Sequence, residues 1–256
     1  MEGFDPQHSF DDAVARHYDD HLRGDEEDAA TFLADLASDG TALEFAIGTG
    51  RIALPLAARG VRVDGIELSP AMVEQLRTKP GGLAPEVSIG DMSSTVLSHR
   101  YQVVYLVYNT IFNLLTADDQ VHCFENAVRH LTDDGVFVVE TAVPTAWITH
   151  ENPEYVRAEH VGLSEVRLDV ARYDPVTQLF EKNHVELTPS GITMRPIVLR
   201  LITPGEMDLM ARIAGLRLMH RYASWRRERF EAASRAHISV YARPDDPSPD
   251  APSALR

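Results

Sequence analysis

The chain has 256 residues, of which 44% are hydrophobic and 25% charged, so it is long enough for a sizeable core and has an ordinary globular composition. Its formal net charge is −15, and Lys79 and Lys182 are its only lysines. Proteins that bind phosphate backbones present a positive field, so we expect no nucleic-acid partner. No apolar stretch approaches the roughly 20 residues of a membrane span, and the first residues show no apolar signal region.

Two helices are predicted before the first strand. Apolar side chains at helical spacing indicate the first helix; they are Phe10, Val14, Tyr18 and Leu22. The acidic run 25–28 suits the positive end of a second helix, which is expected to end near Gly40.

Short apolar runs then alternate with helical patterns. The runs are 42–47, 61–66, 86–89, 102–108 and 135–141. Runs of Val, Ile and Leu without polar alternation are typical of strands covered on both faces. Ser69 before Pro70, and Thr116 with Asp119, provide start signals for two of the helices between them. The pattern predicts an α/β fold with a parallel, doubly wound, Rossmann-like sheet.

From about Trp147 the pattern becomes antiparallel. Alternating runs with turn signals between them predict a small inserted sheet within about 147–202; they are 165–173, 178–187 and 192–202. A further helix from Thr203 and two strands, 216–222 and 237–242, complete seven strands in the main sheet. We expect one domain over 1–243 and a disordered tail over 244–256, which is rich in Pro, Asp and Ser.

The strand-to-helix turn after the first strand is the most informative segment. Gly48 and Gly50 allow the backbone to approach a ligand closely, and Arg51 precedes the following helix. Glu67 ends the second strand about twenty residues on, where a carboxylate can accept hydrogen bonds from both ribose hydroxyls of an adenosine. A ligand would lie across the carboxyl ends of the strands.

The turn alone also satisfies the dinucleotide pattern G-x-G-x-x-A. Two acids favour a different nucleoside ligand. Glu44 precedes Gly48 by four residues, where a pyrophosphate gains nothing from negative charge but an amino-acid ammonium is attracted. Asp91, at the end of the third strand, can accept a hydrogen bond from an adenine amino group. The two helices before the first strand are a further difference from many dinucleotide domains.

These motifs, in order and spacing, resemble the first three motifs of class I S-adenosylmethionine (SAM)-dependent methyltransferases, over roughly residues 10 to 243. The resemblance implies that Glu44 and the turn hold the methionine part of SAM, that Glu67 binds the ribose, and that Tyr108 and Asn109 border the sulfonium. The complete cofactor set implied by it is Tyr18, Glu44, Ala46, Gly48, Gly50, Arg51, Glu67, Leu68, Asp91, Met92, Tyr108 and Asn109. Ala46 stands where the family often has glycine.

The inserted sheet and the segment from Tyr108 to Leu114 narrow the resemblance to bacterial small-molecule methyltransferases, including sugar N,N-dimethyltransferases. In the sugar enzymes a histidine occupies the position of Asn113. Asparagine cannot act as a base at neutral pH, although it can orient a nucleophile. The resemblance therefore implies methyl transfer as the reaction type, but it does not establish that the acceptor is an amino sugar.

Methyl transfer depends mainly on positioning and desolvation, so a strong catalytic base is not required. Few residues are therefore candidates for a catalytic role. Tyr18 is a candidate for closing over SAM, Asn113 for lining the acceptor pocket and His184 for facing it. Each has a purely structural alternative. Trp147 is a candidate pocket wall or core residue, and four histidines are weaker candidates: His17, His21, His150 and His220. No His or carboxylate set has metal-ligand spacing, so no metal is expected.

The sequence thus predicts methyl transfer from SAM, with S-adenosylhomocysteine as product, to an N, O or C nucleophile of a small molecule. The expected acceptor is a secondary metabolite, and neither a nucleic acid nor a membrane is expected as a partner. A nicotinamide-dependent oxidoreductase and a non-catalytic SAM-binding protein are the alternatives, and monomer and homodimer both stay open. Cys123 stands alone, which excludes an intrachain disulfide and predicts a cytoplasmic protein.

Overall fold

The structure is a computed structural model that describes residues 9–20, 23–79, 85–148 and 153–244. The main sheet is built from β1 (Thr41–Phe45), β2 (Arg62–Glu67), β3 (Glu86–Ile89), β4 (Tyr101–Leu106), β5 (Leu131–Ala142), β10 (Arg217–Tyr222) and β11 (Ala236–Ala242). The helices are α1 (Asp12–His17), α2 (Glu26–Ala37), α3 (Ala53–Ala57), α4 (Pro70–Thr78), α5 (Ala117–His130) and α6 (Pro204–Ile213). The strand order is β10-β11-β5-β4-β1-β2-β3.

The prediction of a parallel sheet needs correction at one edge. β1 to β5 pair in parallel, but β11 runs antiparallel to β5 and to β10. A parallel neighbour requires a crossover connection, usually a helix, whereas an antiparallel neighbour does not. Residues 223–235, between β10 and β11, contain no helix, so the alternation of strand and helix stops there and the sheet becomes mixed.

The inserted sheet has four strands where the sequence predicted three. They are β6 (Glu154–Val161), β7 (Val166–Asp174), β8 (Leu179–Thr188) and β9 (Gly191–Arg200), paired antiparallel in chain order. The missed strand is β6, whose register shifts between Ala158 and His160. That bulge breaks the alternation by which a strand is recognised in sequence.

The predicted helix starts are confirmed by their hydrogen bonds. The side chain of Ser69 accepts from the Met72 amide at 3.3 Å, and that of Thr116 accepts from the Asp119 amide at 3.1 Å. The first helix is shorter than predicted and ends at His17. Asp19, beyond it, binds residues of the main body, which takes the chain away from a helical path. Leu22 lies outside the described residues.

Two apolar clusters cover the two faces of the main sheet. One includes Phe45, Phe124 and Phe137, and the other includes Phe32 of α2 and Leu56 of α3. Full burial of each such side chain contributes about 1.5–3 kcal/mol. Buried residues of β7, β8 and β9 belong to the first cluster, so the small sheet shares a core with the main body. Within the described ranges, no helix is long and apolar enough to cross a membrane.

Candidate functional site

A cavity of about 250 Å³ opens at the carboxyl ends of the parallel strands. Strands of an open α/β sheet end in loops there, and ligands of such folds bind in that crevice. The cavity is lined by Phe10, Ala46, Ile66, Glu67, Leu68, Gly90, Asp91, Met92, Thr110, Asn113, Leu114, Leu115 and Asp119. Most of the lining residues that the sequence did not single out lie at strand ends or next to the 3-10 helix Thr110–Asn113, so the topology accounts for their presence.

The glycine turn has the backbone that the sequence predicted. Gly48 and Gly50 have φ values of 57° and 78°, in the left-handed region that favours glycine. Ala46 also has a positive φ, 53°, which explains why a glycine would suit this position. The Gly50 amide donates to the carbonyl of Ile47 at 3.0 Å and closes the turn. Of this turn, Ala46 lines the cavity, whereas Gly48 and Gly50 lie behind that wall.

Replacing Gly50 with alanine is expected to lower the free energy of unfolding by about 1–3 kcal/mol, because a left-handed alanine is strained and its Cβ would collide with the Leu76 side chain. Urea unfolding measures the change. Gly205→Ala is the matched control, since its Cβ meets nothing closer than 4.0 Å and helical alanine is favourable. Equal stability of Gly50→Ala and wild type would contradict the strain at this turn.

Glu67 is buried at the end of β2 and forms part of the cavity wall. Its Oε2 accepts from the Gly48 amide and its Oε1 from the Ser69 amide, both at 2.8 Å. Burial raises the pKa of Glu67, and the hydrogen bonds from these backbone amides oppose that rise. The carboxylate is thus fixed by the turn while each oxygen keeps acceptor capacity for a ligand hydroxyl.

A second carboxylate lines the cavity beyond β3. Oδ1 of Asp91 accepts from the amide and the hydroxyl of Ser93, at 2.7 and 2.6 Å, so the side chain is held in one orientation. Met92 and Leu68 supply apolar wall beside it. This part of the cavity combines apolar surface with a single oriented acceptor, which suits a flat heterocycle that carries an amino group.

Glu44 lies beneath the turn and does not line the cavity. It is 2% exposed, and the hydroxyl of Tyr105 donates to its Oε2 at 2.9 Å. Burial raises the pKa of Glu44 to about 8, against opposing effects of Tyr105 and Arg51. The carboxyl is therefore largely protonated at neutral pH in the free protein, and a nearby cation would favour its ionised form.

Two arginines flank the turn on the side of the N-terminal segment. Arg51 pairs with Asp25 at 2.6 Å and with Glu26 at 3.3 Å. The guanidinium carbon of Arg23 lies 2.8 Å from the centroid of the Tyr108 ring, and that of Arg51 lies 5.6 Å from it. One nitrogen of each guanidinium is buried without a hydrogen-bond partner in the described part of the chain. Arg23 was missed in the sequence, because no motif marks it.

Tyr108 and Asn109 follow β4 in left-handed conformations, with φ values of 56° and 64°. Both are held by β5: the Tyr108 amide donates to the carboxylate of Glu140 at 2.9 Å, and the Ala142 amide donates to Oδ1 of Asn109 at 2.5 Å. Burial raises the pKa of Glu140. Asn109 thus fixes the chain after β4, and the Tyr108 ring, 44% exposed, is the part that faces the arginines.

The N-terminal segment, residues 9–20, is held against the turn and the start of α4 by polar contacts. Asp19 accepts from the Thr49 hydroxyl at 2.8 Å and pairs with Lys79 at 2.8 Å. The Ser69 hydroxyl donates to the carbonyl of Phe10 at 2.6 Å. Tyr18 accepts a 3.3 Å hydrogen bond from Arg23. These contacts hold Tyr18 and Arg23 beside the turn. They account for the position of Tyr18 by structure alone and do not require it to act in catalysis.

The wall beyond β4 contains the predicted candidate Asn113 with Thr110 and Asp119. Asp119 lies in the first turn of α5 and accepts from the Thr116 hydroxyl at 2.6 Å through Oδ2. Trp147 stacks on Phe180 of β8 and meets Phe112 edge-on, with centroids 6.0 and 5.9 Å apart. Trp147 therefore joins the small sheet to the 3-10 helix that carries Asn113.

His184 does not line the cavity. Its Nδ1 lies 2.9 Å from Oδ1 of the buried Asp169 and 3.7 Å from Glu159. Donor atoms of these three residues lie within 4.8 Å of one another, but Asp169 also pairs with Lys182 at 2.7 Å and Arg157 at 3.2 Å. The charge of Asp169 is thus already compensated by Lys182 and Arg157, so the donor set fits a metal ion poorly.

Two of the weaker histidine candidates make contacts that account for them by structure alone. His17 pairs with Asp20 at 2.8 Å on the surface, and His220 stacks on Tyr222. His21 and His150 lie outside the described residues.

Comparisons with known proteins identify methyltransferases as relatives of this chain. A family model described as a methyltransferase domain matches residues 42–135. The solved CcbJ methyltransferase from Streptomyces caelestis has a TM-score of 0.87 and 35% sequence identity, covering 94% of this chain and 99% of its own. A dTDP-3-amino-3,6-dideoxy-alpha-D-glucopyranose N,N-dimethyltransferase from Streptomyces fradiae is 27% identical over 259 residues, 95% of this chain and 90% of that protein.

SAM-bound CalS10, an amino pentose methyltransferase from Micromonospora echinaspora, has a TM-score of 0.69 and 21% identity, covering 95% of this chain and all of its own, 100%. At that identity the likeness concerns the fold. The methyltransferase relatives exclude the alternative of a nicotinamide-dependent oxidoreductase. With a 35% identical relative matched over nearly its whole length, the chain belongs to the SAM-dependent methyltransferases.

Proposed function

We propose that this methyltransferase transfers the methyl group of SAM to an amine nitrogen of a small molecule. The observation that carries the proposal is the chemistry of the cavity wall. Among the described residues that line it there is no His, Cys or Lys, and its polar side chains are carboxylates, Asn113 and Thr110. A neutral amine needs no strong base to be nucleophilic, whereas a phenol or carbon acid must first lose a proton.

The residues present fit SAM. Glu67 would accept from the ribose hydroxyls, and Asp91, Met92 and Leu68 would hold the adenine in the apolar part of the cavity. The turn at Ala46, Gly48 and Gly50 would surround the methionine part of SAM. Glu44 would lie beneath this turn. The remaining members of the predicted set would border the methionine part; they are Tyr18, Tyr108 and Asn109.

The methionine carboxylate would be held by the two arginines beside the turn. Arg23 and Arg51 each bury a nitrogen that has no hydrogen-bond partner among the described residues, and both guanidinium groups lie near the Tyr108 ring. Buried guanidinium groups normally have partners for their N–H donors, and a carboxylate matches their geometry. Arg23 is therefore added to the predicted cofactor set.

When bound, SAM would supply a methyl group on a sulfonium. The lone pair of the acceptor nitrogen would form the new bond to the methyl carbon as the C–S bond breaks, and the sulfur would leave with the bonding electrons. Positioning of the acceptor supplies most of the acceleration. Asn113 and Thr110 would orient the acceptor through hydrogen bonds, and Asp119 would stabilise the ammonium that forms and receive its proton. The proposal assigns no role in this step to His184, which the ion cluster of the small sheet holds away from the cavity.

A calorimetric titration followed by an amine panel tests the proposal. SAM and S-adenosylhomocysteine are expected to bind with micromolar dissociation constants, with NAD as the control that does not bind. Primary and secondary amines, phenols and carboxylic acids, each on sugar and amino-acid scaffolds, are then incubated with labelled SAM. Methylation of amines alone is expected. Methylation of phenols or carboxylates with amines inert would contradict the acceptor class, and failure of SAM to bind would contradict the site.

A cytoplasmic location stays a proposal as well. It is supported by Cys123, the single cysteine of the chain, which is buried. Burial raises the pKa of its thiol, so the residue is an unreactive part of the core.

A further inference from the structure

Glu140 is the one ionisable residue in the inner part of β5. The segment 135–142 has the sequence GVFVVETA, and the side chains of Val138 and Val136 lie in the apolar cluster that contains α2 and α3. Alternate residues of a strand share a face of the sheet, so Glu140 extends this apolar row toward the carboxyl end of the strand. Charged groups at such positions are normally paired or bind a ligand.

Glu140 holds the chain after β4 through two oxygens. Its Oε2 accepts from the Tyr108 amide at 2.9 Å, and its main-chain carbonyl accepts from the Asn109 amide at 3.1 Å. Within the described part of the chain, Tyr108 and Asn109 are the one pair of consecutive non-glycine residues with positive φ, and we name them the left-handed pair. Such a conformation of a bulky residue persists only where its surroundings fix it, and it is most frequent at ligand sites. Glu140 supplies that support.

The carboxylate of Glu140 forms no ion pair with the residues that the structure describes. Two guanidinium groups lie in its surroundings: Arg51, which pairs with Asp25 at 2.6 Å, and Arg23, which lies over the Tyr108 ring. Burial and the charge of Asp25 raise the pKa of Glu140, whereas the Tyr108 amide and both guanidinium groups oppose the rise. A cation that a ligand brings would therefore stabilise this half-buried carboxylate.

We propose that Glu140 is a positioning residue of the cofactor site, which fixes the left-handed pair and makes the site prefer SAM to S-adenosylhomocysteine. The inference rests on the placement, under the proposed function, of Tyr108 and Asn109 at the border of the methionine part. The sulfonium of SAM is positively charged, whereas the sulfur of S-adenosylhomocysteine is neutral. A carboxylate held behind the left-handed pair would therefore attract the cofactor and not the product. Methyl transfer leaves the sulfur neutral, so the attraction would end with the reaction and favour release of the product.

The charge of Glu140 is close enough to act across the left-handed pair. The hydrogen bond to Tyr108 spans 2.9 Å and one residue at most about 3.6 Å, so a ligand atom in contact with this backbone lies within about 10 Å of the carboxylate. At that distance, and at an effective dielectric constant of about 20, two unit charges change a binding constant by roughly tenfold or more. Asp25 and Glu26 are compensated by Arg51 at 2.6 and 3.3 Å, so Glu140 is the acid that would distinguish the two ligands.

Calorimetric titration of Glu140 variants with SAM and S-adenosylhomocysteine tests the proposal. Glu140→Gln keeps an oxygen that can accept from the Tyr108 amide, and it removes the charge. Its dissociation constant for SAM is expected to rise about tenfold. Its dissociation constant for S-adenosylhomocysteine should stay within threefold of wild type.

Glu140→Asp makes the complementary change. It keeps the charge, but its shorter side chain withdraws from the Tyr108 amide, so the left-handed pair loses an acceptor. Both dissociation constants should rise by about threefold or more, and their ratio should stay within twofold of wild type. A purely structural role of Glu140 would leave the ratio unchanged in both variants, so the ratio separates charge from support.

Asp133→Asn is the matched control, since Asp133 is an exposed acid near the opposite end of β5. It removes one negative charge from the same strand and should leave both dissociation constants within twofold of wild type. Glu67→Ala tests the cofactor site separately and should weaken both ligands alike. Circular dichroism and urea unfolding establish that each variant is folded. If Glu140→Gln does not fold, Glu140→Ala replaces it and is compared with Glu140→Asp.

An unchanged ratio of the two dissociation constants in a folded Glu140→Gln overturns the proposal, as does an equal change of that ratio in Asp133→Asn. A wild type that binds neither ligand, or a Glu67→Ala that binds both as wild type does, overturns the proposed cofactor site and this inference with it. The two failures are distinguishable, because Glu67 lies at the end of β2 and would act on the ribose that both ligands share.

Discussion

Replacing Glu67 with alanine is expected to weaken SAM binding by about 100-fold. The substitution removes the acceptor of two ribose hydroxyl hydrogen bonds. Hydrogen bonds to a charged group contribute about 1.5–3 kcal/mol each, so losing about 3 kcal/mol in total raises the dissociation constant roughly 100-fold. Calorimetric titration with SAM and S-adenosylhomocysteine measures the change, and both ligands should lose affinity alike because they share the ribose.

The substitution also acts on the turn. Without the carboxylate, the amides of Gly48 and Ser69 lose their acceptors, which lowers stability as well as affinity. Glu67→Gln separates the two effects, because its single amide oxygen can serve only part of this network. It should retain more stability than Glu67→Ala while SAM binding is still weakened by tenfold or more.

Glu86→Ala is the control, since Glu86 is an exposed acid at the start of the neighbouring strand β3. It removes the same charge from the chain and should leave affinity for SAM unchanged within a factor of two. A Glu67→Ala protein that is folded and binds SAM within threefold of wild type would show that the carboxylate does not serve the ribose.

The sequence predicted the part of the fold that local patterns encode. All seven strands of the main sheet and the caps at Ser69, Thr116 and Thr203 follow from apolar runs and short capping signals. β6 could not be recognised, because its bulge interrupts the alternation. The antiparallel direction of β11 depends on the absence of a crossover helix, which is a property of the connection and not of the strand.

The residues of the candidate site also fall into those that local sequence patterns predict and those that only the folded chain brings together. Gly48, Gly50, Glu67 and Asp91 lie within or next to strand ends, so their convergence at one edge follows from the topology. Arg23 comes from a segment without a motif, and only the folded chain brings it to Tyr108. His184 was an open candidate because alternation leaves the facing of a strand residue undecided until the partners across the sheet are known. Asp169 and Glu159 turn out to be those partners.

The small sheet supports the wall of the cavity. One of its faces contacts the 3-10 helix that carries Asn113 through Phe180, Trp147 and Phe112. A packed core transmits displacement because it has few voids. The position of Asn113 therefore depends on the packing of the small sheet.

The affinity for SAM is expected to increase with pH between 5.5 and 7.5 because of Glu44. Burial raises the pKa of Glu44 to about 8, so the free protein holds a proton there across this range. The ammonium of the methionine part, an α-amino group with a pKa of about 7.7–8.0, stays charged below pH 7.5 and favours the ionised carboxylate. Binding therefore releases a proton, and the dissociation constant should fall by up to about tenfold per pH unit.

Stability should show the opposite dependence on pH. An unfolded Glu44 carboxyl gives up its proton near pH 4.5, whereas the folded one keeps it until about pH 8. Its contribution is therefore fully present below pH 4.5 and is lost as the pH rises toward 8. Urea unfolding at pH 5.5 and 7.5 measures this loss, which Glu44→Gln should remove because its amide cannot ionise. Glutamine keeps an oxygen that can accept the hydrogen bond from Tyr105.

The two measurements on Glu44→Gln are decisive when made together. Titration with SAM in two buffers of different ionisation enthalpy counts the protons released, and the variant should release none while its dissociation constant no longer changes with pH. Glu86→Gln, an exposed acid, should behave as wild type in both measurements. A pH dependence of SAM binding that persists unchanged in a folded Glu44→Gln would assign the titration to another group. Glu67 and Glu140 are candidates, because desolvation raises the pKa of both carboxyls.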